Sequence, residues 1–211
     1  MIRGVMDVSK PFTALSPGVD TDVLVVLAGS TKLRTGREIA RLAGRSKTGV
    51  QRVLARLVEH GLVDRQEAGE ALLYTLNREH LLAPIVEAMA ASRASLFARL
   101  RDAFAGWEIP PRHASLFGSA ARGDGDAASD IDLLIVRPAG VDADDPTWRE
   151  QIDSLAGSVR RWTGNRAGIS EIADTDVPQL RSDQPPVVAE LENDAVGLAG
   201  KSVRQLLSLA R

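Results

Sequence analysis

Gly118-Ser119-Ala120-Ala121-Arg122-Gly123-Asp124, followed by Ser129-Asp130-Ile131-Asp132-Leu133-Leu134-Ile135-Val136, is the stretch from which the fold of this 211-residue chain can be read. His113 to Phe117 ahead of it reads as a short strand, and Ser129 to Val136 as a second. In the second strand Asp130 and Asp132 stand two residues apart, so both carboxylates leave from one face. Ile131, Leu133 and Ile135 then point the other way, into a core. Two neighbouring carboxylates repel unless a cation lies between them, and hard oxygen ligands suit Mg²⁺ or Mn²⁺. Gly118 lets backbone approach a phosphate closely, and the Ser119 hydroxyl can donate to one. A helix opening at Ser119 would add free N–H groups that favour an anion.

Gly-Ser, ten residues, then Asp-x-Asp on a strand closely resembles the signature of the DNA polymerase beta-like nucleotidyltransferase superfamily, and the fuller text resembles its minimal members. The resemblance implies that Asp130 and Asp132 bind the metal ions and that Ser119 contacts the phosphates of a nucleoside triphosphate, beside the close approach that Gly118 allows. Arg122 either touches phosphate or holds the loop by pairing with an acid. The family's third carboxylate, metal ligand or base for the attacking hydroxyl, lies on a later strand. The next strand expected is Arg166 to Ile172, whose single acid is Glu171; Asp174 and Asp176 follow as alternatives. Two uses stay open: nucleotidyl transfer to an acceptor, or nucleotide sensing without transfer.

Between these strands, Asp145-Pro146 starts a helix with Trp148, Ile152, Leu155, Val159 and Trp162 on its apolar stripe, ending at Gly164-Asn165. These tryptophans, like Trp107, read as packing residues. After Pro185-Pro186 a helix to about Asn193, a short segment Ala195 to Ala199 and a last helix from Ser202 are expected.

Upstream the pattern changes to helical. Residues 1 to 19 read as an arm or edge strand, and Asp20 to Leu27 as a short helix with Val23, Leu24 and Leu27 buried. Thr35 and Glu38 form a capping box for a helix carrying Ile39, Leu42 and Ala43. Gly44 breaks it, and Ser46 caps a third helix with Val50, Val53, Leu54, Leu57 and Val58 at the 3.6-residue period. Two short helices across a Gly-containing turn outline a helix-turn-helix. Leu62 to Arg65 and Ala71 to Leu76, flanking Ala68-Gly69-Glu70, add a β-wing. Thr35 to Leu76 resembles the winged helix-turn-helix domains of MarR-like and ArsR-like regulators, including the Leu57-Val58-Glu59-His60-Gly61-Leu62-Val63 pattern at the passage into the wing.

Charge divides along the same line. From Arg34 to Arg56 seven basic residues face one acid, a balance of +6, whereas Pro111 to Arg211 carries 11 basic and 16 acidic residues, a balance of −5. The first suits polyanions and the second concentrates carboxylates. Arg45, Lys47, Thr48, Gln51 and Arg52, around the start of the recognition helix, and Arg65 in the wing are the candidate contacts to duplex DNA. Winged helices also serve as protein contacts, so a protein partner or acceptor stays open, as does a homodimer.

An α+β architecture in three parts follows: a winged helix-turn-helix domain over 1–79, a connecting helix over 80–107 and a nucleotidyltransferase-like domain over 108–211. The length exceeds the common single-domain size of about 100 to 150 residues. No cysteine is present, which excludes disulfides and thiolate metal sites. His60, His80 and His113 lack zinc-motif spacing. Neither a signal peptide nor a membrane-spanning run is visible, and a cytoplasmic location is expected.

Overall fold

The computed structural model describes residues 6–7, 18–125 and 129–208. The chain forms two compact units, one of Lys10–Arg93 and one of Ala94–Arg211 with Met1–Ser9. The arm or edge strand expected over 1–19 falls mostly outside the described residues.

In the first unit, α1 (Val19–Ala28) buries Val23 and Leu27. The two-residue strand β1 (Arg34–Thr35) leads into α2 (Gly36–Ala43), whose capping box is complete: Thr35 Oγ1 accepts from the Glu38 amide at 3.2 Å and Glu38 Oε2 accepts from the Thr35 amide at 2.8 Å. Gly44 ends α2 with a left-handed φ of 63°, a conformation that costs glycine nothing. Ser46 caps α3 (Lys47–Glu59) through the Gly49 amide, and α3 buries Val50, Val53, Leu54 and Leu57. β2 (Val63–Ala68) and β3 (Ala71–Leu76) pair antiparallel in a register that sets Ala68 opposite Ala71, leaving Gly69-Glu70 as the hairpin turn. β1 joins the outer side of β3, giving a sheet of order β1-β3-β2. This strand is too short to leave a periodic signal in the sequence.

The connecting helix expected over 80–107 is corrected to two helices, α4 (Ala83–Ala90) and α5 (Ser92–Ala105). The Ser92 hydroxyl donates to the Met89 carbonyl at 2.7 Å, a local bond that competes with helix continuation. Each half belongs to a different core: Ala83 and Val86 join the α1–α3 cluster, whereas Leu96, Leu100 and Phe104 join that of the second unit. Pro84 lies at the start of α4, where its missing N–H is harmless.

The second unit continues with β4 (His113–Leu116), the single turn α6 (Gly118–Arg122), β5 (Ile131–Arg137), α7 (Pro146–Thr163) and β6 (Ala167–Ala173). α8 (Val177–Asp183), α9 (Pro186–Asp194), β7 (Val196–Gly200) and α10 (Val203–Ser208) complete it. The sheet order is β6-β5-β4-β7, with β5 and β6 parallel and the other pairs antiparallel. Ala114, Leu116, Ile131, Leu133 and Ile135 pack against Trp148, Ile152, Leu155 and Val159 of α7 and against α5. On the other face Phe117 and Leu134 meet Leu191 of α9, and Val136 meets Val177 and Leu206. Trp107 stacks edge-on to buried Trp148 at 5.4 Å, a packing role as expected from its sequence context.

Candidate functional site

The pleat of β5 sends Asp130 and Asp132 to the face occupied by Leu134 and Val136, opposite the α7 core. Asp130 is exposed and Asp132 half-buried. Two glycines make room for Asp132. A β-carbon on Gly118 would lie 2.7 Å from its Oδ2, and one on Gly168 in β6 would lie 2.7 Å from its Oδ1. Gly118 also holds a φ of 68°, the left-handed turn by which the chain leaves β4. Parallel pairing places Gly168 directly beside Asp132. Gly125 closes over Ser119, where an added β-carbon would stand 2.8 Å from Oγ. Gly118, Ser119, Asp130 and Asp132 therefore come together as expected, and Gly125 and Gly168 belong with them.

Burial raises the Asp132 pKa above its ordinary value; the charges of Asp130 and Glu190 push the same way, and Arg122 pulls against them. A carboxylate so placed gains from a neighbouring cation. Arg122 itself lies between two acids, with Nε 3.0 Å from Asp124 Oδ2 and Nη1 3.5 Å from Asp194 Oδ2. Of its two sequence readings, the structure shows the loop-holding pair, which joins α6 to α9. Buried Asn165, read from the sequence only as a helix end, donates from Nδ2 to the Ser129 carbonyl at 2.9 Å and so fixes the backbone just before Asp130.

Glu171 is corrected. It pairs in register with Ile135, not with Asp132, and so lies on the α7 face, away from the aspartates. There its Oε1 accepts from Arg137 Nε and Trp148 Nε1, each at 3.0 Å, and Arg149 approaches Oε2 at 3.5 Å. The residues that β6 presents on the Asp132 face are Gly168, Ser170 and Ile172. Asp174 follows the far end of β6 and pairs with Arg112 at 3.4 Å; Asp176 lies in the same short 3-10 turn. Glu171→Ala is expected to cost about 1–3 kcal/mol, since it strips partners from Trp148 and Arg137, yet to leave nucleotide affinity unchanged. A denaturant melt run beside nucleotide calorimetry checks both halves.

Among the described residues no three His, Asp or Glu side chains converge to hold a metal ion. His113 is fully buried, with Nδ1 2.5 Å from the Lys201 carbonyl and Nε2 2.9 Å from Ser115 Oγ. Burial pushes its pKa below the ordinary histidine value. The carbonyl can only accept, so Nδ1 carries the proton and Nε2 accepts from Ser115.

In the first unit Lys47, Thr48, Gln51 and Arg52 lie exposed along the side of α3 opposite its buried stripe, and Arg65 is exposed on β2 across from Tyr74. Arg45, exposed as well, pairs with Asp22, its Nε 2.6 Å from Oδ2, which ties the turn after α2 to α1. Arg56 is likewise paired, with Asp20. Asp64, Glu67 and Glu70 surround Arg65 in the wing sequence, so the positive charge of this unit resides on the stretch from Arg34 to Arg56, through α2 and α3, rather than on the wing. No described helix is long and apolar enough to cross a membrane.

Compared with known families, the chain matches two family models, each over a separate part of its length. Residues 16–71 match the model of the MarR family and residues 103–176 that of the nucleotidyltransferase domain. No curated protein matches the chain. Among solved structures it is similar to a mutant of ZitR from Lactococcus lactis, with 20% identity, 40% of this chain and 57% of that one covered, and a TM-score of 0.33. It is also similar to the MarR family transcriptional regulator SPO1453 from Silicibacter pomeroyi DSS-3, with 21% identity, 44% and 67% covered, and a TM-score of 0.34. A third is the homodimeric winged helix-turn-helix DNA-binding domain Mb0332 from Mycobacterium bovis, with 23% identity, 46% and 83% covered, and a TM-score of 0.31. The chain spans just over half the length of the first of these.

Proposed function

We propose that this protein transfers a nucleotidyl group from a nucleoside triphosphate to an acceptor hydroxyl, in a reaction dependent on Mg²⁺ or Mn²⁺, and that its winged helix binds duplex DNA. The observation that carries the first half is the seat of Asp132, whose two carboxylate oxygens fill the space left by Gly118 and Gly168 beside Asp130. Two crowded carboxylates, one desolvated, fit a hard dication that completes its shell with phosphate and water oxygens. Asp130 and Asp132 would hold it, and when bound it supplies charge neutralisation for the triphosphate. Ser119, on the turn opened by Gly118, orients the phosphates through its hydroxyl, and the Arg122 pairs with Asp124 and Asp194 keep that turn in place. Pyrophosphate release from labelled nucleoside triphosphate, with a cell lysate as the source of acceptor, tests the reading. Nucleotide bound and never turned over would end it.

A second reading, a regulator that senses nucleotide without transferring it, is favoured by one feature: β6 offers Gly168 and Ser170, not an acid, on the Asp132 face. Metal-dependent binding with no pyrophosphate from any acceptor would select it.

The DNA half rests on the exposed Lys47, Thr48, Gln51 and Arg52 of α3. Replacing Lys47 and Arg52 by alanine is expected to weaken duplex binding and to flatten the slope of log K against log salt by about 2, one phosphate being released for each cation lost. A salt titration by fluorescence anisotropy measures it. Absence of duplex binding by the wild type at low salt would instead make α3 a protein contact, and a homodimer can be read from sedimentation in the same samples.

A further inference from the structure

We propose that the acid which takes the acceptor's proton comes not from β6 but from α9, and that it is Glu190; the assignment rests on the transfer reading above. α9 lies beyond residues 103–176, the part that matches the nucleotidyltransferase domain. Its placement is fixed from both sides of Glu190. Leu191 is buried with Phe117 and Leu134, and Val187 packs on the same cluster. Phe117 immediately precedes Gly118, and Leu134 is the next residue after Asp132 on that face of β5. One turn further on, Asp194 reaches Arg122 of α6 at 3.5 Å. Val187, Glu190, Leu191 and Asp194 follow the i, i+3, i+4, i+7 spacing, so they form one stripe along the helix. Anchors at both ends of that stripe place Glu190 on the side of α9 that meets Phe117 and the Gly118–Arg122 turn. Consistently, the Glu190 charge adds to those that raise the Asp132 pKa.

The other acids nearby are engaged or misplaced. Asp124 and Asp194 hold Arg122, Asp174 holds Arg112, and Glu171 sits on the α7 face. Among the described residues Glu190 takes part in no ion pair, and it is exposed, so an acceptor can reach it. In the step itself the acceptor oxygen forms its bond to the α-phosphorus as the bond from that phosphorus to the bridging oxygen breaks. Pyrophosphate leaves with the electron pair, and the hydroxyl proton passes to a Glu190 carboxylate oxygen.

The test uses the full chain, labelled ATP with Mg²⁺, and lysate as acceptor, with calorimetry on the same samples. Glu190→Gln is expected to keep nucleotide affinity and KM within about threefold while lowering the transfer rate by about 10² to 10⁴. Glu190→Asp should restore part of the rate, and Glu192→Gln, an exposed acid on the same helix, should match the wild type. A Glu190→Gln enzyme as fast as the wild type overturns the assignment and leaves the transfer reading standing. Wild-type protein that binds ATP and never releases pyrophosphate overturns both.

Discussion

Asp130→Asn combined with Asp132→Asn is expected to abolish Mg²⁺-dependent nucleotide binding and, at the same time, to raise the melting temperature of the metal-free protein. The first effect follows from charge: each amide keeps the shape of the carboxylate and loses the anion that attracts a dication. The second follows from the raised pKa of Asp132, caused by burial first and then by Asp130 and Glu190. In the folded chain the ionised form is disfavoured, so the stability linked to this group is full below the ordinary carboxylate pKa of about 4 and is lost as pH rises through the raised value. At pH 7 the wild type carries that penalty and the double variant does not. The gain in melting temperature should therefore be present at pH 7 and shrink towards pH 4. Calorimetric titration with Mg²⁺ and nucleotide, beside melts at the two pH values, measures both. Unchanged affinity would remove the basis for a metal site at this pair, and a lower melting temperature at pH 7 would show that Asp132 is a structural partner instead.

How much of this was legible in the sequence depended on whether the deciding interaction was local. The capping box of Thr35 and Glu38, the break at Gly44 and the alternation through Ile131, Leu133 and Ile135 are all set within a few residues, and each stands in the fold as read. Glu171 depended on strand register. β6 carries isoleucine on both of its faces, Ile169 towards α7 and Ile172 towards Leu134, so its polarity pattern does not choose a side. Only the pairing of Asp132 with Gly168 does. The ion pair of Arg45 was hidden for a similar reason: its partner Asp22 is 23 residues away, and nothing near Arg45 announces it. The expected connector failed because the apolar residues from Ala83 to Phe104 feed two separate cores. Glu190 and Gly168 lie outside the Gly-Ser and Asp-x-Asp text altogether, and only the sheet and α9 bring them to it.

Gly168→Ala is the sharpest probe of the Asp132 seat, because it leaves every charge in place. The added β-carbon would stand 2.7 Å from Asp132 Oδ1 and 3.7 Å from the Asp130 β-carbon. Gly168 is not in the left-handed region, so alanine brings no backbone strain there. The short Asp132 side chain is the group that has to move. Its other oxygen already occupies the space that Gly118 leaves open, also 2.7 Å from a β-carbon position, so the carboxylate cannot swing that way freely. Displacement of a ligand by its neighbour typically weakens metal binding by about 10- to 100-fold. Gly168→Ala is accordingly expected to keep the fold and to lose Mg²⁺-dependent nucleotide affinity by about that factor. Gly197→Ala in β7, where an added β-carbon meets nothing within 4 Å, should bind as the wild type does. Circular dichroism establishes that both variants are folded, and calorimetry compares them. Wild-type affinity in Gly168→Ala would mean that the position of Asp132 between the two glycines is not what holds the cation, and the site would then have to be sought around Asp130 alone.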